Sequence, residues 1–324
     1  MSTALRLLSL LGAALAGGAL IAAYRRDLKE HRDRVAQGRL GAQTSRGLIE
    51  YAVLGSGAPA FVIHGAGGGY DQGLFLGGSF PGFQVIAPSR FGYLGTPTPP
   101  DISPAAQADA HAALLDYLGI DTAVVAGASA GAPSAVELAL RHPGRVRALI
   151  LIVPRGYAPG RPADAPPTHE GVLRVVLSGA DFAYWAALRI ARSKVVQFLG
   201  VPPEVEARAE PAERARVTAV MRNVLPLSMR IEGIRNDSAI TLGPLPLERV
   251  QVPTLVITAR DDLFDTLPAA KHLAERIHGA KLMELNSGGH LLVGRQAEVD
   301  AAIAKFLSDV TAAEQAVQPS RKRA

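Results

Sequence analysis

Ser129 lies at the centre of Gly127-Ala128-Ser129-Ala130-Gly131, a run of small residues that can carry a hydroxyl on a tight turn. A serine hydroxyl is a poor nucleophile at neutral pH. It becomes a useful one when a histidine takes its proton and a buried carboxylate fixes the tautomer of that histidine. Both partners occur further along the chain. Asp261, Asp262 and Asp265 follow an apolar run at 254–259, and His290 follows Gly288 and Gly289, which let its loop fold back. The chemistry these residue types support is attack on an acyl carbonyl through a covalent intermediate. No cluster of His, Asp and Glu suggests a metal site, and this chemistry requires neither a metal nor a cofactor.

These side chains have to be carried by regular elements. Residues 123–126 are apolar and run directly into the turn, and 132–141 then show helical periodicity, so strand, turn and helix surround Ser129. Similar apolar runs predict strands at 60–63, 84–88, 148–153, 254–259 and 281–285. An alternating pattern predicts an edge strand at 48–54. Helices are expected at 103–118, 267–278 and 296–310, giving an α/β alternation with a mostly parallel sheet. Between 154 and 253 the alternation stops. This proline-rich stretch holds helical runs at 171–178, 182–199, 203–224 and 227–234.

Gly-x-Ser-x-Gly between a strand and a helix, with an acid and a histidine after later strands, resembles the α/β-hydrolase superfamily over about 48–307. The resemblance implies an α/β-hydrolase core at 47–153 and 254–310 and a helical cap at 154–253, inserted after the sixth strand. It implies the order Ser129, Asp262, His290 for nucleophile, acid and base. Asp262 is selected by a Gly-x-x-Asp pattern in which Ala259 replaces the glycine, and Asp261 and Asp265 are the alternatives. His64-Gly65-Ala66-Gly67 matches the family's His-Gly-x-Gly, which implies the backbone N–H of Ala66 as one oxyanion donor and that of Ala130 as the other. His64 is then a residue that orients the loop. A phosphate-cradling glycine loop is the competing reading of 64–69, but no Gly-Lys-Ser/Thr follows it.

The same resemblance favours a serine hydrolase acting on a carboxylic ester or related small acyl substrate. Carbon–carbon bond hydrolase, thioesterase, lactonase and haloperoxidase chemistry use the same parts, and a non-catalytic binding protein is the alternative outside enzymes. An aspartate at the elbow would have suggested dehalogenation or epoxide opening, and Ser129 disfavours both. Ser89 stands where an acidic residue often precedes the arginine of an Arg-x-Gly-x-Gly loop, which Arg90-Phe91-Gly92-Tyr93-Leu94-Gly95 resembles with one residue more between its glycines. Phe182, Tyr184, Trp185, Phe198, Met221 and Met229 in the cap are candidates to line a pocket, with packing of cap on body as their ordinary role.

At 324 residues and 48% hydrophobic, the chain can bury a large core, and without cysteine it has neither disulfides nor a thiolate nucleophile. The net charge is +5, but the excess sits at Arg6, at 25–39 and at 311–324, so no nucleic-acid surface is implied for the body. Residues 7–24 are uncharged and long enough to span a bilayer, with more positive charge after them than before. The expectation is a membrane anchor or signal at 1–24 with a cytoplasmic body, the alternatives being a cleaved signal with a secreted or periplasmic body and a helix packed on the body. A charged linker, starting as a helical extension of the segment before it, is expected at 25–46, and a disordered basic tail at 311–324.

Overall fold

The computed structural model describes residues 3–160, 174 and 176–321, with the side chains of 3–14 and 317–321 outside the description. Its centre is an eight-stranded sheet. The strands are β1 (Leu40–Thr44), β2 (Gly47–Leu54), β3 (Ala58–Ile63), β4 (Phe83–Pro88), β5 (Ala123–Ala128), β6 (Val146–Ile152), β7 (Thr254–Ala259) and β8 (Lys281–Leu285). They are ordered β1-β2-β4-β3-β5-β6-β7-β8. β1 and β2 pair antiparallel, as do β2 and β4, and every other neighbouring pair is parallel.

A parallel strand covered on both faces must be apolar throughout, because successive side chains point to opposite sides. β5 and β7 are buried at every position. Phe61, Ile63, Val125, Leu149, Leu151 and Val256 face one layer, where α3 (Pro104–Tyr117), α4 (Ala132–Arg141) and the later helix α10 (Leu267–Arg276) pack. Val62, Val124, Ala126, Ile150 and Ile257 face the other, beneath α11 (Gln296–Arg321). Sequence signals fix the helix starts: Ser103 Oγ accepts a hydrogen bond from the N–H of Ala106 at 3.1 Å, and Pro104 occupies the first turn of α3.

Between β6 and β7 the chain forms α5 (Asp181–Ile190), α6 (Arg192–Phe198), α7 (Pro203–Ala207), α8 (Pro211–Asn223) and α9 (Ile231–Ala239). They enclose a separate cluster containing Tyr184, Trp185, Val195, Val217, Met221 and Leu225, which reaches Tyr93 and Val293 of the body. The helix expected at 171–178 lies for the most part outside the described residues.

Both chain ends differ from the sequence expectation. Residues 25–36 are not a linker: α1 (Thr3–Ala36) continues through them, and 40–44 form β1. Leu28, His31 and Val35 are buried. Asp27 accepts from Trp185 Nε1 at 3.1 Å and from Arg189, while Tyr24 packs edge-on against Phe182 and Trp185. Charges that read as solvated locally are therefore partnered by residues over 150 positions away. Among the described residues no helix is long and apolar enough to cross a membrane. The expected anchor over 7–24, and the membrane partner and cytoplasmic location inferred from it, are thus without support. Part of that segment falls on residues whose side chains are not described. The expected disordered tail is helical to Arg321, where Arg147 reaches Glu314 and Thr311.

Candidate active site

The loops after β3, β5, β7 and β8 meet at the carboxyl edge of the sheet, where parallel α/β sheets present their ligands. Ser129 follows β5 with φ at 48°, a left-handed conformation that costs a non-glycine residue about 1–3 kcal/mol. The neighbouring glycines permit this turn because nothing larger fits. A Cβ on Gly127 would lie 2.7 Å from the Cβ of Ala135 in α4, and one on Gly131 would lie 2.5 Å from the carbonyl oxygen of His64.

Ser129 Oγ is 2.8 Å from His290 Nε2, and His290 Nδ1 is 2.7 Å from Asp262 Oδ2. The sequence predicted these three as a group, and the structure brings them together. The Asp262 side chain is fully buried and that of His290 nearly so. Asp262 Oδ2 also accepts from Thr266 Oγ1 at 2.5 Å, and Oδ1 accepts from the N–H of Phe264 at 2.9 Å. Burial alone would raise the pKa of this carboxyl. The adjacent imidazole and the hydrogen bonds outweigh it, so the pKa lies below the usual carboxylate value. Asp262 therefore remains an acceptor for Nδ1–H, which leaves Nε2 free to take the serine proton.

Asp261 has a different task. It accepts from the N–H groups of Gly288 and Gly289 at 3.1 and 2.8 Å and so shapes the loop before His290. Asp265 is exposed and has φ at 51°.

The loop after β3 lies directly beside the serine, since a Cβ on Gly65 would be 3.1 Å from Ser129 Cβ. Ala66 is the next residue of that loop, and Ala130 directly follows Ser129 in the chain. His64 is fully buried. Its Nε2 accepts from the N–H of Arg90 at 2.9 Å, so Nδ1 carries the proton and donates to the Gly65 carbonyl at 2.7 Å. Burial, followed by the charge of Arg90, pushes its pKa well down, which matches a neutral orienting histidine.

Several supporting residues went unidentified in the sequence. Gln72 Oε1 accepts from the N–H of Gly65 at 2.8 Å. Arg90 binds Asp237 of α9 through two contacts of 2.7 Å, and Tyr93 donates to the same carboxylate at 2.6 Å while accepting from the N–H of Gly67 at 3.3 Å. Gly200, between α6 and α7 of the cap, offers one carbonyl to two backbone donors, Leu263 N–H at 3.1 Å and His290 N–H at 2.9 Å. Only chain reversals marked by glycine hinted at this. The aromatic ring of Phe264 stands edge-on to the His290 ring with centroids 4.6 Å apart.

Gly200 has φ at 78°, and a Cβ there would lie 2.5 Å from His290 Cβ and 2.7 Å from the Phe264 ring. Gly200→Ala is expected to lower kcat for a p-nitrophenyl ester by roughly 10- to 100-fold through displacement of the imidazole. Steady-state kinetics beside a thermal melt would check this; unchanged kcat would show that the contact has no bearing on turnover.

Among the cap candidates, Tyr184 and Trp185 are buried and hydrogen-bonded to the Met221 carbonyl and to Asp27, and Met221 lies in the same cluster. These three pack the cap interior. Phe182 lies against Tyr24, Phe198 borders the cap cluster, and the Met229 carbonyl accepts from Leu94 N–H at 2.8 Å.

An eight-stranded, mostly parallel sheet with a serine elbow, a histidine and an acid on its carboxyl edge defines an α/β hydrolase. A family model described as "Alpha/beta hydrolase family" matches residues 60–302, and the chain belongs to that family. Among similar proteins, a 2-hydroxymuconate semialdehyde hydrolase of Pseudomonas putida is 30% identical over 273 residues, covering 80% of this chain and 90% of its own. A pimeloyl-[acyl-carrier protein] methyl ester esterase of Aromatoleum aromaticum is 30% identical over 234 residues, covering 71% and 89%. The solved structure of an α/β hydrolase fold protein from Nakamurella multipartita superimposes with a TM-score of 0.66 at 28% identity, covering 83% of this chain and 98% of its own. The chain is a hydrolase of this superfamily.

Proposed function

We propose that the protein hydrolyses a carboxylic ester or related small acyl substrate, with Ser129 as nucleophile, His290 as base and Asp262 as the acid that orients it. The observation that carries this reading is the unbroken relay from Ser129 Oγ to His290 Nε2 and from His290 Nδ1 to Asp262, at 2.8 and 2.7 Å. In the first half-reaction Ser129 Oγ bonds to the acyl carbon as its proton passes to Nε2. The alcohol then leaves with that proton, and the acyl group stays on the serine. In the second, His290 takes a proton from water, whose oxygen attacks the acyl carbon, and Ser129 departs reprotonated. The N–H groups of Ala66 and Ala130 stabilise the oxyanion in both steps, each contributing on the order of 3 kcal/mol.

Carbon–carbon bond hydrolysis is the second reading, supported by the 30% identity to a 2-hydroxymuconate semialdehyde hydrolase over most of both chains. A fluorophosphonate probe followed by peptide mapping is expected to label Ser129, and the reading fails if that serine stays unmodified. Comparing p-nitrophenyl esters with a vinylogous 1,5-diketone then separates the two chemistries: ester turnover with no cleavage of the diketone supports the first.

A further inference from the structure

We propose that Arg34, in the last turns of α1, is a positioning residue for the oxyanion loop, so that the N-terminal helix is part of the active-site scaffold. The inference rests on the reading of Ala66 N–H as an oxyanion donor. Residues 64–69 must be held at both ends if that N–H is to point at a carbonyl carbon bound to Ser129. The β3 end is held by His64, Gln72 and Arg90. The other end runs into α2 (Tyr70–Leu76), and its supports come from elsewhere in the chain.

Arg230, wholly buried, donates through Nη1 to the Gly68 carbonyl of the loop and to Asp71 Oδ1 at 3.1 Å, and through Nη2 to Asp71 Oδ2 at 2.7 Å. A buried guanidinium needs an anionic partner, and Asp71 supplies it. Arg34 binds the same Asp71 carboxylate from α1 and also donates to the carbonyls of Asn223 and Leu225 in the cap, at 3.2 and 2.9 Å. Burial pushes the Asp71 pKa up, but Arg230 and Arg34 more than reverse this and hold it at about 2, so the link is ionic throughout the working pH range. A second tether runs in parallel. Tyr70, the first residue of α2, donates its hydroxyl to the Val35 carbonyl at 2.8 Å, with the Gln37 carbonyl 3.2 Å away.

The last turn of α1 therefore grips Tyr70 and Asp71, and Asp71 aligns the guanidinium that holds Gly68, two residues after Ala66. Removing Arg34 leaves Arg230 with one carboxylate no longer fixed from the far side. A shift of about 1 Å in a donor costs on the order of 10- to 100-fold in rate, because the oxyanion exists only near the transition state. The loss therefore falls on kcat and leaves KM alone.

The test compares wild type, Arg34→Ala and Arg34→Lys in the full chain, with Lys29→Ala on the exposed side of α1 as control. The readouts are kcat and KM for a p-nitrophenyl ester and the inhibition constant of a trifluoromethyl ketone, whose hemiketal oxyanion uses the same donors. We expect Arg34→Ala to lower kcat at least tenfold at constant KM, to weaken the ketone by a similar factor, and to be partly rescued by lysine. Kinetics within twofold of wild type, or a change confined to KM, would overturn the proposal. If Arg34→Ala does not fold, Tyr70→Phe, which removes only the hydroxyl tether, carries the same test with the same criteria. Fluorophosphonate labelling of wild-type Ser129 separates the two levels. A labelled serine with unaffected variants rejects the role of α1 alone, and an unlabelled serine rejects the hydrolytic reading on which it stands.

Discussion

Ser129→Ala is expected to lower kcat for a p-nitrophenyl ester by on the order of a millionfold while leaving the far-ultraviolet circular dichroism and the melting temperature close to those of wild type. The hydroxyl is the only group that can bond to the acyl carbon in this mechanism, and its removal also abolishes the initial burst of nitrophenol that an acyl-enzyme produces. The fold should survive because β5, which leads into the elbow, is held by β3 and β6, and alanine is no larger than serine. His290→Ala should lose about as much. The double variant should be no worse than either single one, because nucleophile and base act as a unit. Retained turnover with a burst in Ser129→Ala would place the nucleophile elsewhere.

The second large effect concerns the acid. Asp262→Asn is expected to reduce kcat about 10,000-fold with the three side chains still in contact. A carboxylate can only accept from Nδ1, whereas the amide can donate to it. The imidazole then turns its proton toward Ser129 and can no longer receive one. Asp261→Asn should cost far less, since an amide oxygen can still accept one of the two N–H groups from Gly288 and Gly289. Reversing this order would assign the acid to Asp261. There is also a stability consequence. The Asp262 pKa is lower in the folded chain than in an unfolded one. Its contribution is therefore present above the ordinary carboxylate value and is lost as pH falls through the lowered one. Urea melts at descending pH should show that acid-side loss in wild type and a smaller one in Asp262→Asn.

The candidate site was legible in the sequence to the extent that its signals are local. Gly-x-Ser-x-Gly, the acid just after an apolar strand and Gly-Gly-His are short patterns whose geometry follows from a few neighbouring residues. The core strands were legible because burial on both faces leaves only apolar residues to choose from. Arg230 and Asp237 were not, since neither has its site-side partner nearby in the chain: Asp71 precedes the first by 159 positions and Arg90 the second by 147. Beyond the glycine itself, nothing marked the Gly200 carbonyl, because backbone oxygens carry no residue identity. The reading of 25–46 as a linker failed for a related reason. Asp27, His31 and Arg34 look like a solvated stretch until the cap and α2 are folded against them.

The carbonyl of Gly200 links the two halves of the molecule in a way that limits how the entrance can work. A cap swinging outward as a rigid door would strip hydrogen bonds from the segments bearing Asp262 and His290 whenever it opened. Admission of substrate and upkeep of the relay are compatible if the 200–202 stretch stays fixed while the helices around residues 181–198 and 211–223 move about it. The same bond bears on protein engineering: grafting another hydrolase's cap at the ends of β6 and β7 would import new specificity at the risk of a disarmed body, unless the graft brings an equivalent backbone acceptor with it.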